Sequence, residues 1–185
     1  MVPLIALWLP ILLSAIIVFV ASSIMHRVLT YHQSDWQQIP DEANVLAALR
    51  TAGLKRGYYH FPFCNHKEMK SPAMTEKYKQ GPVGMMTVFP SGLPAMPKFL
   101  GMWFAYCLII GFFVAYLSGR TVASGANYLV VSRVAGTAAF LAYGLGQLSN
   151  GIWKGQPWGM TIKEVVDGLV YGLLTAGTFG WLWPR

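Results

Sequence analysis

From Val2 to Met25 the chain carries no charged residue. A helix of that length, at about 1.5 Å per residue, covers the ~30 Å hydrocarbon core of a bilayer. Three further apolar runs follow, Phe99 to Ser118, Asn127 to about Leu148, and Val165 to Trp183. Composition agrees, because 55% of residues are hydrophobic and only 11% charged, against about 25% charged in soluble domains. The expected fold class is therefore an all-α membrane protein. It would be a four-transmembrane-helix bundle with a small α+β extramembrane segment, residues 26–97, between the first two spans.

The first run is expected to stay in the protein. Ala21-Ser22-Ser23 supplies small residues where a signal peptidase would cut, but no basic n-region precedes the run and it is too long. Pro3 falls in the first turn, where a missing N–H costs little, and Pro10 is expected to bend the helix. Gly119 to Ala126 reads as a tight turn joining the second and third spans. Asn150 to Lys163 reads as a polar connection whose Trp153 and Trp158 anchor at the interface, as Trp181 and Trp183 do at the far end.

Basic residues set the orientation. Nine of the fourteen Lys and Arg lie between Arg27 and Lys98, and Lys154 and Lys163 fall on the same side of a four-span chain. That side is expected to be cytoplasmic, with both termini outside. The net charge of +7 is explained by this bias; no dense basic cluster argues for nucleic acid. Two cysteines, one of them inside an apolar run, exclude a disulfide scaffold.

The later spans carry small residues at every fourth position. Cys107, Gly111, Ala115 and Gly119 form one series, Ala138, Ala142 and Gly146 a second. Gly168, Gly172, Ala176 and Gly180 form the most regular. Such a stripe lets helix backbones approach closely in lipid. The plainer expectation is packing within one chain; the sharper is a face for a homo-oligomer or a membrane-complex partner on the fourth helix. Two charges touch the apolar runs. Arg133 is expected to snorkel outward, and Asp167 to sit in the first turn of the fourth helix, paired with Lys163 or Lys98 and favoured by the helix dipole.

Within the extramembrane segment, Pro40-Asp41-Glu42 opens a helix that Gly53 stops, and Ser71, Pro72 and Gly81 frame another. Tyr58–Phe63 and Val83–Phe89 are strand candidates. The one grouping of metal-ligand residue types there is His60, Cys64, His66 and Glu68, since thiolate, imidazole and carboxylate are the usual zinc donors. Its spacing matches no finger pattern, and the plainer expectation is ordinary surface residues. His26 and His32 are further imidazoles near the end of the first span, with no position that spacing can fix. No paired carboxylates, phosphate loop or nucleophile elbow is present, so a non-enzymatic protein is expected, either structural or an accessory subunit of a membrane complex. The alternatives are a metal-associated protein using the His60/Cys64/His66 cluster to hold a transition metal, or a small oligomeric transporter with Thr137, Thr175 and Thr178 as its few pore candidates. Haem is disfavoured because no His lies deep in a span.

Several stretches resemble a bacterial family of small four-span membrane proteins of unknown function. They are His26 through Glu42, Lys70-Ser71-Pro72, Gly81-Pro82-Val83, and the tail from Asp167-Gly168 through Thr175-Ala176-Gly177 to Gly180-Trp181-Leu182-Trp183-Pro184. The resemblance implies a bacterial cytoplasmic (inner) membrane and carries no activity, substrate or catalytic residue.

Overall fold

A computed structural model describes all residues, 1–185. The chain is mostly helical and separates into two compact units, Met1–Trp36 with Ala95–Arg185, and Gln37–Pro94. The first unit holds α1 (Trp8–Arg27, entered through a 3-10 turn at Leu4–Leu7), α4 (Met96–Thr121), α5 (Tyr128–Tyr143), the short α6 (Leu148–Trp153) and α7 (Trp158–Trp181). The second holds α2 (Glu42–Thr51), β1 (Gly57–Phe61), α3 (Pro72–Gln80) and β2 (Gly84–Val88).

Three helical stretches are long and apolar enough to cross a membrane: Leu4–Arg27, Met96–Thr121 and Tyr128–Trp153. The fourth apolar run belongs to α7, whose Lys163, Glu164 and Asp167 dilute it. That helix begins at Trp158, seven residues earlier than expected, because Pro157 can end an extended approach and start a helix there. The expected polar connection is therefore largely helical. Asp167 is the tenth residue of α7 and not in its first turn, so the dipole account of it fails. The third run, too, is not one smooth helix: α5 ends at Tyr143, and a 3-10 turn over Leu145–Gln147 leads into α6.

Around the bundle, α1 packs on α4, α4 on α5, α5 on α7, and α7 back on α1. The core they enclose contains Leu7, Val18, Val114, Val131, Ala135 and Phe179. Large apolar residues such as Ile5, Phe113 and Leu141 remain on the outer faces of the three membrane-length helices. Each end of the chain is tied to the region where α4 gives way to α5. Val2 N donates to Gly119 O at 2.9 Å, and Gly125 N donates to Pro184 O at 2.9 Å.

The fourth-helix stripe is filled by the same chain. A methyl group added at Gly168 would collide with the backbone of Gly144, and one at Gly136 would lie 2.8 Å from Ala176 Cβ. Gly180 lies against Ser132 and Tyr128. The residues of this stripe thus lie in the contact of α7 with α5. Small side chains there let the two helix backbones approach closely.

Residues 37–94 form a smaller body. Antiparallel β1 and β2 pair in the register Tyr59 opposite Met86. Ser71 Oγ accepts from Met74 N at 3.2 Å and caps α3. Met74 is the one buried residue of this unit, which follows from its size.

Candidate metal centre

Where α1 ends, the helix does not run on. His26 and Arg27 form its last turn, and a 3-10 turn over Thr30–Asp35 folds the chain back toward α7. That turn carries Tyr31, His32 and Asp35; α7 carries Lys163 and Asp167 one helical turn apart, on one face. Five polar side chains and His26 are thereby gathered at the end of an apolar bundle.

Asp167 is buried, with its side chain 4% exposed. A buried carboxylate must be hydrogen-bonded or paired to persist. Here Tyr31 OH donates to Oδ1, in a short contact, and His32 Nε2 lies at hydrogen-bond distance from Oδ2, 2.8 Å. Neither Lys163 nor Lys98 serves it, contrary to expectation. Lys163 Nζ instead donates to Asp35 Oδ1 at 2.6 Å, to Tyr31 O at 2.6 Å and to Ser34 Oγ at 2.9 Å. Asp35 in turn accepts from His32 Nδ1 at 2.7 Å through its other oxygen. The Lys163 ammonium and then the His32 imidazole hold the Asp35 carboxyl below the usual carboxylate range. Burial pulls the His32 imidazole down, but its bonds to Asp35 and Asp167 outweigh that and raise it. Burial, then the bond to Asp167, raises the Tyr31 phenol.

His26 completes the group. Its ring stacks on that of His32, with centroids 4.5 Å apart and planes 13° from parallel. Its Nδ1 donates to Ser22 O at 3.0 Å, so Nε2 points outward and lies 3.8 Å from Asp167 Oδ2. One ligand atom from each of His26, His32 and Asp167 lies within 4.8 Å of the other two. Tetrahedral bonds of about 2.0–2.1 Å would set such donors roughly 3.3 Å apart; the two nitrogen–oxygen separations are 2.8 and 3.8 Å, and because the rings stack nearly parallel the half-exposed His26 would have to turn to aim Nε2 at a shared ion. Both imidazoles have Nδ1 engaged, by a carboxylate and by a backbone carbonyl, the two partners that orient metal-bound histidines. Two imidazoles with one carboxylate is a donor set for a divalent transition ion.

Beside these donors opens a cleft of about 520 Å³, with His26 and Asp167 in its wall. Leu100, Trp103, Tyr143 and Tyr171 give it an aromatic and apolar side. Trp103 is fixed by donating to Ser22 Oγ at 2.8 Å. Tyr171 is buried, and its hydroxyl has no hydrogen-bond partner.

The residues expected to bind metal from sequence are placed elsewhere and apart. His60 lies exposed on β1, opposite Met85. Cys64 is half-buried with Sγ bonded to Asn65 O at 3.1 Å, and His66 and Glu68 are exposed in the turn that follows. No three of these donors converge as the His26 group does. Thr175 and Thr178, named as pore candidates, donate to Tyr171 O and Leu174 O of their own helix. Sequence reasoning left His26 and His32 unplaced and missed Tyr31 and Asp35. The available signal was topological: in a four-span chain, the end of the first run and the start of the fourth share one side. Compared with protein-family models, curated proteins and solved structures, the chain matches none of them.

Proposed function

We propose that this chain is a four-span protein of the bacterial cytoplasmic membrane that binds one divalent transition-metal ion through His26, His32 and Asp167. In this reading both termini lie outside and the metal centre lies at the cytoplasmic end, the side that gathers most of the basic residues. Support for α7 as a span is its course. Its Lys163 and Asp167 lie beside the Thr30–Asp35 turn, and it ends where Trp183 Nε1 donates to Ala123 O at 2.8 Å, next to the start of α5. The role is binding rather than catalysis.

One observation carries the metal reading. Two imidazoles with their Nδ1 atoms already engaged turn both Nε2 atoms on one oxygen of a buried carboxylate. Three donors leave coordination positions open, as in zinc sites with two His and one carboxylate and in facial-triad iron sites.

A second reading rests on His32 lying between two carboxylates. As an imidazolium it would clasp the Thr30–Asp35 turn to α7 with no metal at all. Elemental analysis of the full-length protein, purified in mild non-ionic detergent and dialysed against Zn²⁺, separates the two. About one bound ion per chain is expected, falling to background in His26→Ala and in Asp167→Asn. A His60→Ala, Cys64→Ser, His66→Ala triple variant should keep its ion. Retention by the first pair with loss in the triple variant would move the site to the extramembrane unit; no ion in any protein would leave the clasp.

A further inference from the structure

We infer that the cleft beside His26 and Asp167 takes a monoanionic amphiphile, a carboxylate head on an alkyl or aromatic body, with the head completing the metal's coordination. The inference rests on the metal reading above. Three observations carry it.

The first is position. His26 and Asp167 belong both to the donor group and to the wall of the cleft, so an open coordination position faces that space. A volume near 520 Å³ is in the range of small-molecule sites, about 300–1,000 Å³.

The second is charge. With a divalent ion and neutral imidazoles, the centre holds the cations Lys163 and Arg27 against the carboxylates Asp35, Glu164 and Asp167. One net positive charge remains. Beside the apolar and aromatic wall of the cleft, a single anionic head neutralises it, whereas an organic cation would add to it.

The third is an unanswered donor. Tyr171 follows Asp167 by four residues on α7 and so projects from the same face. The residue lines the cleft, and its buried hydroxyl has no hydrogen-bond partner. Leaving such a group unpaired is costly, and a ligand oxygen beside the metal would accept its proton. The remaining wall, Leu100, Trp103 and Tyr143, offers apolar surface to whatever the head carries.

Full-length protein loaded with Co²⁺ in non-ionic detergent gives the test, with the cobalt visible spectrum as readout. Octanoate should shift the spectrum at a concentration at least about tenfold below that needed for acetate, since buried methylenes add affinity. Decyltrimethylammonium should leave it unchanged. Tyr171→Phe, a conservative change, should keep cobalt but weaken octanoate about threefold to tenfold, the worth of one hydrogen bond. Vesicle-reconstituted protein then separates a lipid-borne acid from a soluble one. Response to palmitate supplied only in the bilayer assigns the membrane as source, and response to octanoate alone assigns the aqueous phase. Equal potency of acetate and octanoate, or a bound cobalt ion indifferent to both, overturns this inference while leaving the metal centre intact. Failure to bind cobalt overturns both.

Discussion

Asp167 shows how one buried charge organises its surroundings. Its carboxylate recruits Tyr31 and His32, and His32 passes the demand for a counter-charge on to Asp35 and so to Lys163. Different members of this network should therefore fail in different ways. His26 has half of its side chain exposed, so His26→Ala should abolish metal uptake while leaving the thermal midpoint of the metal-free protein nearly unchanged. His32 is 12% exposed and bonds to both carboxylates. His32→Ala leaves two buried acids short of a donor and should cost about 1–3 kcal/mol, read as a lower midpoint in detergent even without metal. Equal midpoints for the two variants would show that the carboxylates do not depend on His32.

Among the elements, the α5–α7 contact depends on glycine for distance rather than for flexibility. Gly168→Ala places a methyl against the Gly144 backbone and should destabilise by about 1–3 kcal/mol through overpacking. Gly101, inside α4, has nothing within 4 Å of the position its Cβ would take. Gly101→Ala should be neutral or slightly stabilising, through helix propensity. The pair separates a packing effect from a backbone one, with thermal unfolding as the measurement. In the smaller unit the elements answer to local signals. Ser71→Ala removes the α3 cap and should cost about 1 kcal/mol, seen as faster amide exchange in Pro72–Gln80. Such caps are legible in sequence because their physics is confined to four residues. Lys163 and Asp167 read as a boundary in the sequence, yet tertiary partners keep both inside α7, so the helix starts earlier than its apolar run.

For the whole molecule, the proposed topology places the 37–94 unit in the cytoplasm. Cys64 is partly accessible, while Cys107 is buried at 1%. Intact cells treated with a membrane-impermeant maleimide should therefore show no labelling, and inverted vesicles should show labelling at Cys64 alone. Labelling of Cys64 in intact cells would invert the orientation, placing the metal centre outside.

Sequence by itself determined where apolar helices form, since run length against bilayer thickness is a local count. It likewise determined the place of α2, the caps of α3, the two strands, and the stripes of small residues. It did not determine which stripe meets which helix, or that a 3-10 turn carries His32 back to a carboxylate 135 positions away. A metal-ligand set compact in sequence, His60 to Glu68, came apart in space, and one scattered over 142 residues, from His26 to Asp167, came together. The physical reason is that ligation depends on the separation and direction of donor atoms. For residues on different helices, those are set only when the helices pack.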